Sequence, residues 1–268
     1  MKHHVFPLSS RPWWSLPVIA MVALTGCIAG YKSARTDARH WQDAQQMVLV
    51  LVADWDDTRG TLRTYARDGG AWHQNGDAAE VVVGRNGSAW GLGLNTRHPA
   101  KGPVKREGDG RSPAGVFAIG EAFGYADQAV SGLPYAQMQA SSWCVDVSGS
   151  PLYNRIVDVR ETGADAIVGA SEPMRLDLTN HGDQRYRLGF VIEHNAQQQA
   201  QGGSCIFAHL WSTPDSTTSG CTAMADASME RLLSWLDATR RPVFVLLTED
   251  DYARLRDDWQ LPHVESTR

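Results

Sequence analysis

GGSCIFAHLWSTPDSTTSGCTAM, residues 202–224, is the stretch on which the reading of the whole chain turns. GSCIFAHLW (203–211) is a short apolar run and predicts a strand that presents His209 at its end. The Ser/Thr/Pro-rich residues after it predict a loop. Ser219-Gly220-Cys221 follows. Met229, Leu232, Leu233 and Leu236 then recur at helical spacing, which predicts a helix over roughly 227–237 with Asp226 as its cap. A thiol just ahead of a helix would sit near unsatisfied N–H groups and a positive dipole end. Both lower a thiol pKa and stabilise an oxyanion. Gly220 permits tight backbone geometry, and a His on a neighbouring strand end can take the thiol proton. The segment alone therefore suggests Cys221 as nucleophile and His209 as base in an acyl-transfer site.

Working outward, MVLVLVA (47–53) and RPVFVLLT (241–248) predict buried strands, and EVVVG (80–84) and RLGFVIEHN (187–195) two more. TLRTYARDGGAWHQNG (61–76) predicts a hairpin about its Gly-Gly pair. KREGDGRSPAGVFAIG (105–120) is a loop entering a strand near Gly115. GRNGSAWGLGLN (84–95) is expected to be loop. Its glycines do not open a helix, which excludes a dinucleotide fingerprint. EDDYARLRDDW (249–259) has an amphipathic helical pattern. The fold class predicted is mainly β: one β-rich domain from about 46 to 262 with one or two short helices.

The 268-residue chain is 43% hydrophobic and 21% charged, with net charge −5. No basic block or basic-aromatic stripe occurs, so a nucleic-acid partner is not expected. The ten Trp are read chiefly as core. At the N-terminus, Lys2 and Arg11 precede an apolar stretch, Trp13–Leu24, too short for a comfortable membrane span. It ends in Leu24-Thr25-Gly26-Cys27, which resembles a bacterial lipobox. Residues 1–26 are thus expected to be a signal peptide, Cys27 the lipidated first residue, and 27–45 a polar tether. Ile28, by resemblance to Gram-negative sorting rules, points to the outer membrane. The expected location is the cell envelope, lipid-anchored and facing the periplasm.

Four cysteines occur: Cys27, Cys144, Cys205 and Cys221. With Cys27 lipidated and Cys221 kept for chemistry, Cys144 and Cys205 remain to pair in an oxidising compartment. Two separately buried thiols, or a Cys205–Cys221 bond that silences the site, stay open as alternatives. Cys205, His209, Cys221 and His194 are possible zinc ligands. But Cys205 and His209 on one strand would lie about 13 Å apart, and no CxxC or helical HxxxH spacing occurs. No metal and no cofactor are expected.

These segments together resemble the L,D-transpeptidase catalytic-domain (YkuD-like) family. That family has a His at a strand end, a loop, then Ser/Thr-His-Gly-Cys, usually followed one residue later by Arg. Here the match is His209 and Thr218-Ser219-Gly220-Cys221. KREGDGRSPAGVF (105–117) is similar to the family's Lys-x-Glu-Gly-Asp-Gly stretch. Tyr153-Asn154-Arg155 together with GSCIFAHLW matches one subgroup. The resemblance implies a sandwich-like β domain and a Cys221 thioester formed from a peptidoglycan stem peptide. It also implies an oxyanion hole from the backbone of Gly220, Cys221 and, more weakly, Thr222. Two departures stand out. Ser219 replaces the second His, and Ala223 replaces the Arg. His194 and Arg111 are candidates to substitute, His194 being equally readable as structural, and Asn195 and Glu193 to orient groups nearby. Asp109 and Arg111 are expected to structure their loop. An L,D-carboxypeptidase, a peptidoglycan amidase and a non-catalytic peptidoglycan-binding lipoprotein are the competing functions.

Overall fold

The computed structural model describes residues 41–95 and 101–264. The expected signal peptide, Cys27 and most of the expected tether lie outside the described residues. The strands are β1 (Gln46–Val52), β2 (Arg59–Asp68), β3 (Ala71–Gln74), β4 (Ala79–Val82), β5 (Ser88–Trp90), β6 (Ser112–Gly124) and β7 (Tyr135–Gln137). They continue with β8 (Ser142–Cys144), β9 (Ile156–Asp158), β10 (Glu172–Pro173), β11 (Leu188–Ile192), β12 (Phe207–Leu210), β13 (Thr222–Met224) and β14 (Val243–Thr248). The helices are α1 (Val159–Thr162), α2 (Leu176–Thr179), α3 (Asp226–Trp235) and α4 (Glu249–Trp259).

The main sheet runs β1-β14-β6-β11-β12-β13-β4-β2, and β2 also pairs with β1, so the sheet closes on itself. The sandwich-like domain is thus a ring with its core inside. β1 and β14 are buried at every residue and lie parallel to each other. Burial on both faces explains why they read as unbroken apolar runs. β2 has one face partly wet and mixes Thr, Arg and Tyr with Leu. It turns into β3 through Gly69 and Gly70, both at positive φ, as a two-residue hairpin requires. β6 pairs with β14 over its first half and β11 over its second, and the register with β11 slips between Phe190 and Ile192. That bulge lets one strand serve two neighbours.

Several expectations need correction. The Gly-rich segment contains β5, which pairs in parallel with the start of β6. Asp226 does not cap α3: Ala225 holds the cap position without a side-chain bond, and Asp226, inside the first turn, pairs with Arg187. The helix also stops at Trp235. The ordered domain starts before residue 46. Trp41 and Ala44 are buried, and Trp41 packs edge-on against Trp259 of α4 at 5.5 Å.

Between β7 and β11 the chain makes an excursion, residues 138–187, that carries a separate three-stranded sheet, β10-β8-β9. It brings its own small core. Met138, Cys144, Met174, Leu176 and Tyr186 pack against Phe123, Cys205, Phe207 and Cys221 of the ring. A Cys144–Cys205 disulfide joins excursion to ring, with Cα atoms 6.0 Å apart.

Candidate active site

β12 and β13 lie side by side in parallel, Ala208 beside Thr222 and His209 beside Ala223. Carried back one residue, this register puts Cys221 beside Phe207, whose N–H donates to Cys221 Sγ at 3.3 Å. Side chains alternate along a strand, so Cys221 and His209 share a face. Strand spacing and rise put their Cα atoms about 8 Å apart. Both line one cavity of about 400 Å³. The thiol therefore precedes a strand, not a helix: α3 begins five residues later, and its dipole does not act on Cys221.

The turn carrying the thiol is fixed by two hydroxyls. Thr218 Oγ1 donates to the Cys221 carbonyl (2.6 Å) and accepts from Gly220 N–H (3.1 Å). Ser112 Oγ donates to the same carbonyl (2.9 Å) and accepts from Gly84 N–H. Gly220 has φ 153°, and a Cβ there would lie 3.1 Å from the Arg111 carbonyl, so glycine is required. Its N–H is already committed to Thr218, which removes it from the expected oxyanion hole. Thr222 sits within the sheet opposite Ala208.

Cys221 is 7% exposed and His209 3%. Burial pushes the thiol up to about 12, and the Glu172 carboxylate adds to the shift. Burial also lowers His209 to about 4, helped by the Arg185 charge. At neutral pH the resting pair is thiol and neutral imidazole. His209 Nδ1 lies 2.8 Å from the Leu210 carbonyl, which can only accept. Nδ1 thus carries the proton, and Nε2 is left as a free base.

The proposed supporting residues are mostly scaffold. His194 Nδ1 accepts from Leu92 N–H, and Nε2 donates to the Gly202 carbonyl. Both nitrogens are used, and the ring does not line the cavity with Cys221. Asn195 ties residues 195–203 together through Gln199 and Gly203. Arg111 binds the carbonyls of Trp55 and Ser88 and the Asp56 carboxylate, and so does not substitute for the absent Arg. Asp109 structures the Gly-rich turn by accepting from the N–H groups of Arg106 and Arg111, but its ion pair is with Lys105. Glu193 faces Glu121, not the cavity. Ser219 stays at the site: its Oγ accepts from Arg85 Nη1 at 2.8 Å.

Other groups at the site were not singled out by the sequence reading. Tyr186 donates from its hydroxyl to Glu172 Oε1 (2.6 Å), and its ring meets His209 edge-on at 5.1 Å. Burial raises both its pKa and that of Glu172. Glu107 accepts from Tyr153 and Ser204. Tyr153 and Glu107 lay inside quoted motifs, whereas Glu172 and Tyr186 sit in the weakly patterned excursion. Asn154 bonds His194 and Asn195 carbonyls and receives Cys205 N–H, which holds Cys205 at φ 55°. No cluster suited to a metal occurs among the described residues.

A closed β domain with a buried thiol and imidazole on neighbouring parallel strands, facing one polar cavity, defines a class of cysteine-bearing domain. The sequence profile of one family, YkuD, the L,D-transpeptidase catalytic domain, matches residues 51–245, and the chain belongs to that family. Its members are typically enzymes that act on peptidoglycan peptides. No curated protein and no solved structure matches the chain.

Proposed function

We propose that this protein is an L,D-transpeptidase-type acyltransferase of the cell envelope that forms a thioester between Cys221 and a peptidoglycan stem peptide. The observation that carries the reading is the shared face of Cys221 and His209 at one cavity. His209 Nε2 takes the thiol proton as Sγ attacks the carbonyl between meso-diaminopimelate and D-Ala. The Phe207 N–H favours the thiolate as it forms. The Cys221 backbone N–H is the candidate oxyanion donor. Collapse expels D-Ala, whose amine takes the proton back from His209. An acceptor amine then gives a cross-link, or water gives hydrolysis. The resting site holds a neutral imidazole and a neutral thiol, so proton transfer has to be drawn forward by attack on the bound carbonyl.

The test is incubation of the domain with tetrapeptide muropeptides, followed by mass spectrometry. An acyl adduct that is absent in Cys221→Ala supports the thioester. Cross-linked product, trimmed tripeptide, or binding to sacculi with no adduct would point respectively to transpeptidase, carboxypeptidase or a non-catalytic binder. Lipid attachment at Cys27 belongs to the same proposal. Palmitate labelling that persists in Cys27→Ala would overturn it.

A further inference from the structure

We propose that Arg85, three residues beyond β4, forms a carboxylate-binding subsite beside Cys221. This rests on Cys221 being the reactive group of the site. β13 pairs with β4, Ala223 opposite Val82, so the chain leaving β4 runs beside the thiol-bearing turn. Arg85 N–H donates to the Thr218 carbonyl at 2.8 Å, which locks that stretch to the turn. Its guanidinium donates to Ser219 Oγ, and both residues line the cavity with Cys221.

The other charges there are already satisfied. Arg185 pairs with Asp183, and Lys105 with Asp109. Glu172 accepts from Tyr186, Glu107 from Tyr153 and Ser204, and Asp146 from Ser171. Arg85 is the cavity cation with no carboxylate partner among the described residues. Its side-chain hydrogen bond to Ser219 uses a single N–H of a fork built for bidentate carboxylate binding. A ligand carboxylate near the reacting carbonyl would complete it. Ser219 thereby acts as the positioning residue for that fork.

The experiment compares alkylation of Cys221 by iodoacetate and by iodoacetamide at mildly alkaline pH, in the full described domain, by intact mass. The two reagents share a leaving group and differ in the carboxylate, so their rate ratio reads anion recognition at the thiol without any muropeptide. Arg85→Gln is expected to lower the iodoacetate-to-iodoacetamide ratio about fivefold, with iodoacetamide itself little changed. Arg85→Lys should retain part of the ratio and Arg85→Glu lower it further. Ser219→Ala, which frees the guanidinium without removing its charge, should fall between. A ratio unchanged in Arg85→Gln and Arg85→Glu overturns the subsite, as does failure of both reagents to reach Cys221 in the folded protein. A wild type that shows the ratio but processes no muropeptide would instead overturn the peptidoglycan substrate and leave the subsite standing.

Discussion

Cys221 and His209 are held neutral by their own burial, and this changes what each substitution does. A protonated imidazole beside a thiolate would give alkylation a plateau at mildly acidic pH. With His209 near 4 and Cys221 near 12, the wild-type rate should instead climb continuously from pH 5 to pH 9. His209→Gln is expected to leave that climb in place, because alkylation then runs through thiolate formed by solvent, while acyl transfer from a muropeptide, which needs His209 as general base, falls at least tenfold. A plateau lost in His209→Gln would show that the ion pair exists after all. Tyr186→Phe is expected to cost about 1–3 kcal/mol in urea unfolding, since Glu172 would lose its buried donor. Recovery in a Glu172→Gln, Tyr186→Phe double variant would mark the penalty as that of an orphaned carboxyl.

At the scale of elements, the excursion packs against the thiol and lines its cavity. Its sheet carries Glu172 opposite Cys144, its core includes Cys221, and the disulfide ties it to Cys205 across a sequence separation of 61. In the chain-entropy picture a closed loop of that length contributes about 4 kcal/mol. Reduction should therefore lower the melting temperature. It should also speed alkylation of Cys221, because the cover over the thiol is loosened while β12 and β13 remain paired. Unchanged Cys221 reactivity after verified reduction of Cys144–Cys205 would mean that the cover does not limit access.

For the whole molecule, acid sensitivity follows from two buried imidazoles. His194 and His209 are each held near 4 by burial, below the ordinary 6.5. Between those values the unfolded chain binds protons that the folded chain refuses, so their contribution to stability falls as pH falls. The slope is at most about 1.4 kcal/mol per pH unit for each His. Glu172, Glu193 and Glu121, raised by burial, oppose it by protonating first in the folded state. His194→Gln should therefore flatten the fall in unfolding free energy between pH 6.5 and pH 5 relative to wild type, measured by urea titration. An equally steep fall would mean that His194 is protonated in the native state.

Local pattern was enough to read the longer buried strands and to bring Cys221 and His209 forward as candidates. β1, β14 and α4 announce themselves by burial on both faces or by helical periodicity, which are properties of neighbouring residues. The motif around Cys221 and His209 likewise lies within residues 202–224. What lies between Cys221 and α3 was misread because a three-residue strand, β13, is too short to show a period and exists only through its neighbours β12 and β4. The roles of Arg111, His194 and Asn195 were decided by hydrogen bonds to carbonyls distant in sequence, which no spacing encodes. The closure of the sheet, the cover that the excursion places over the thiol, and the meeting of Arg85, Ser219, Tyr186 and Glu172 at one cavity are likewise tertiary. They follow from pairing and burial between segments as far apart as Met47 and Val243, where chain connectivity alone carries no information on proximity.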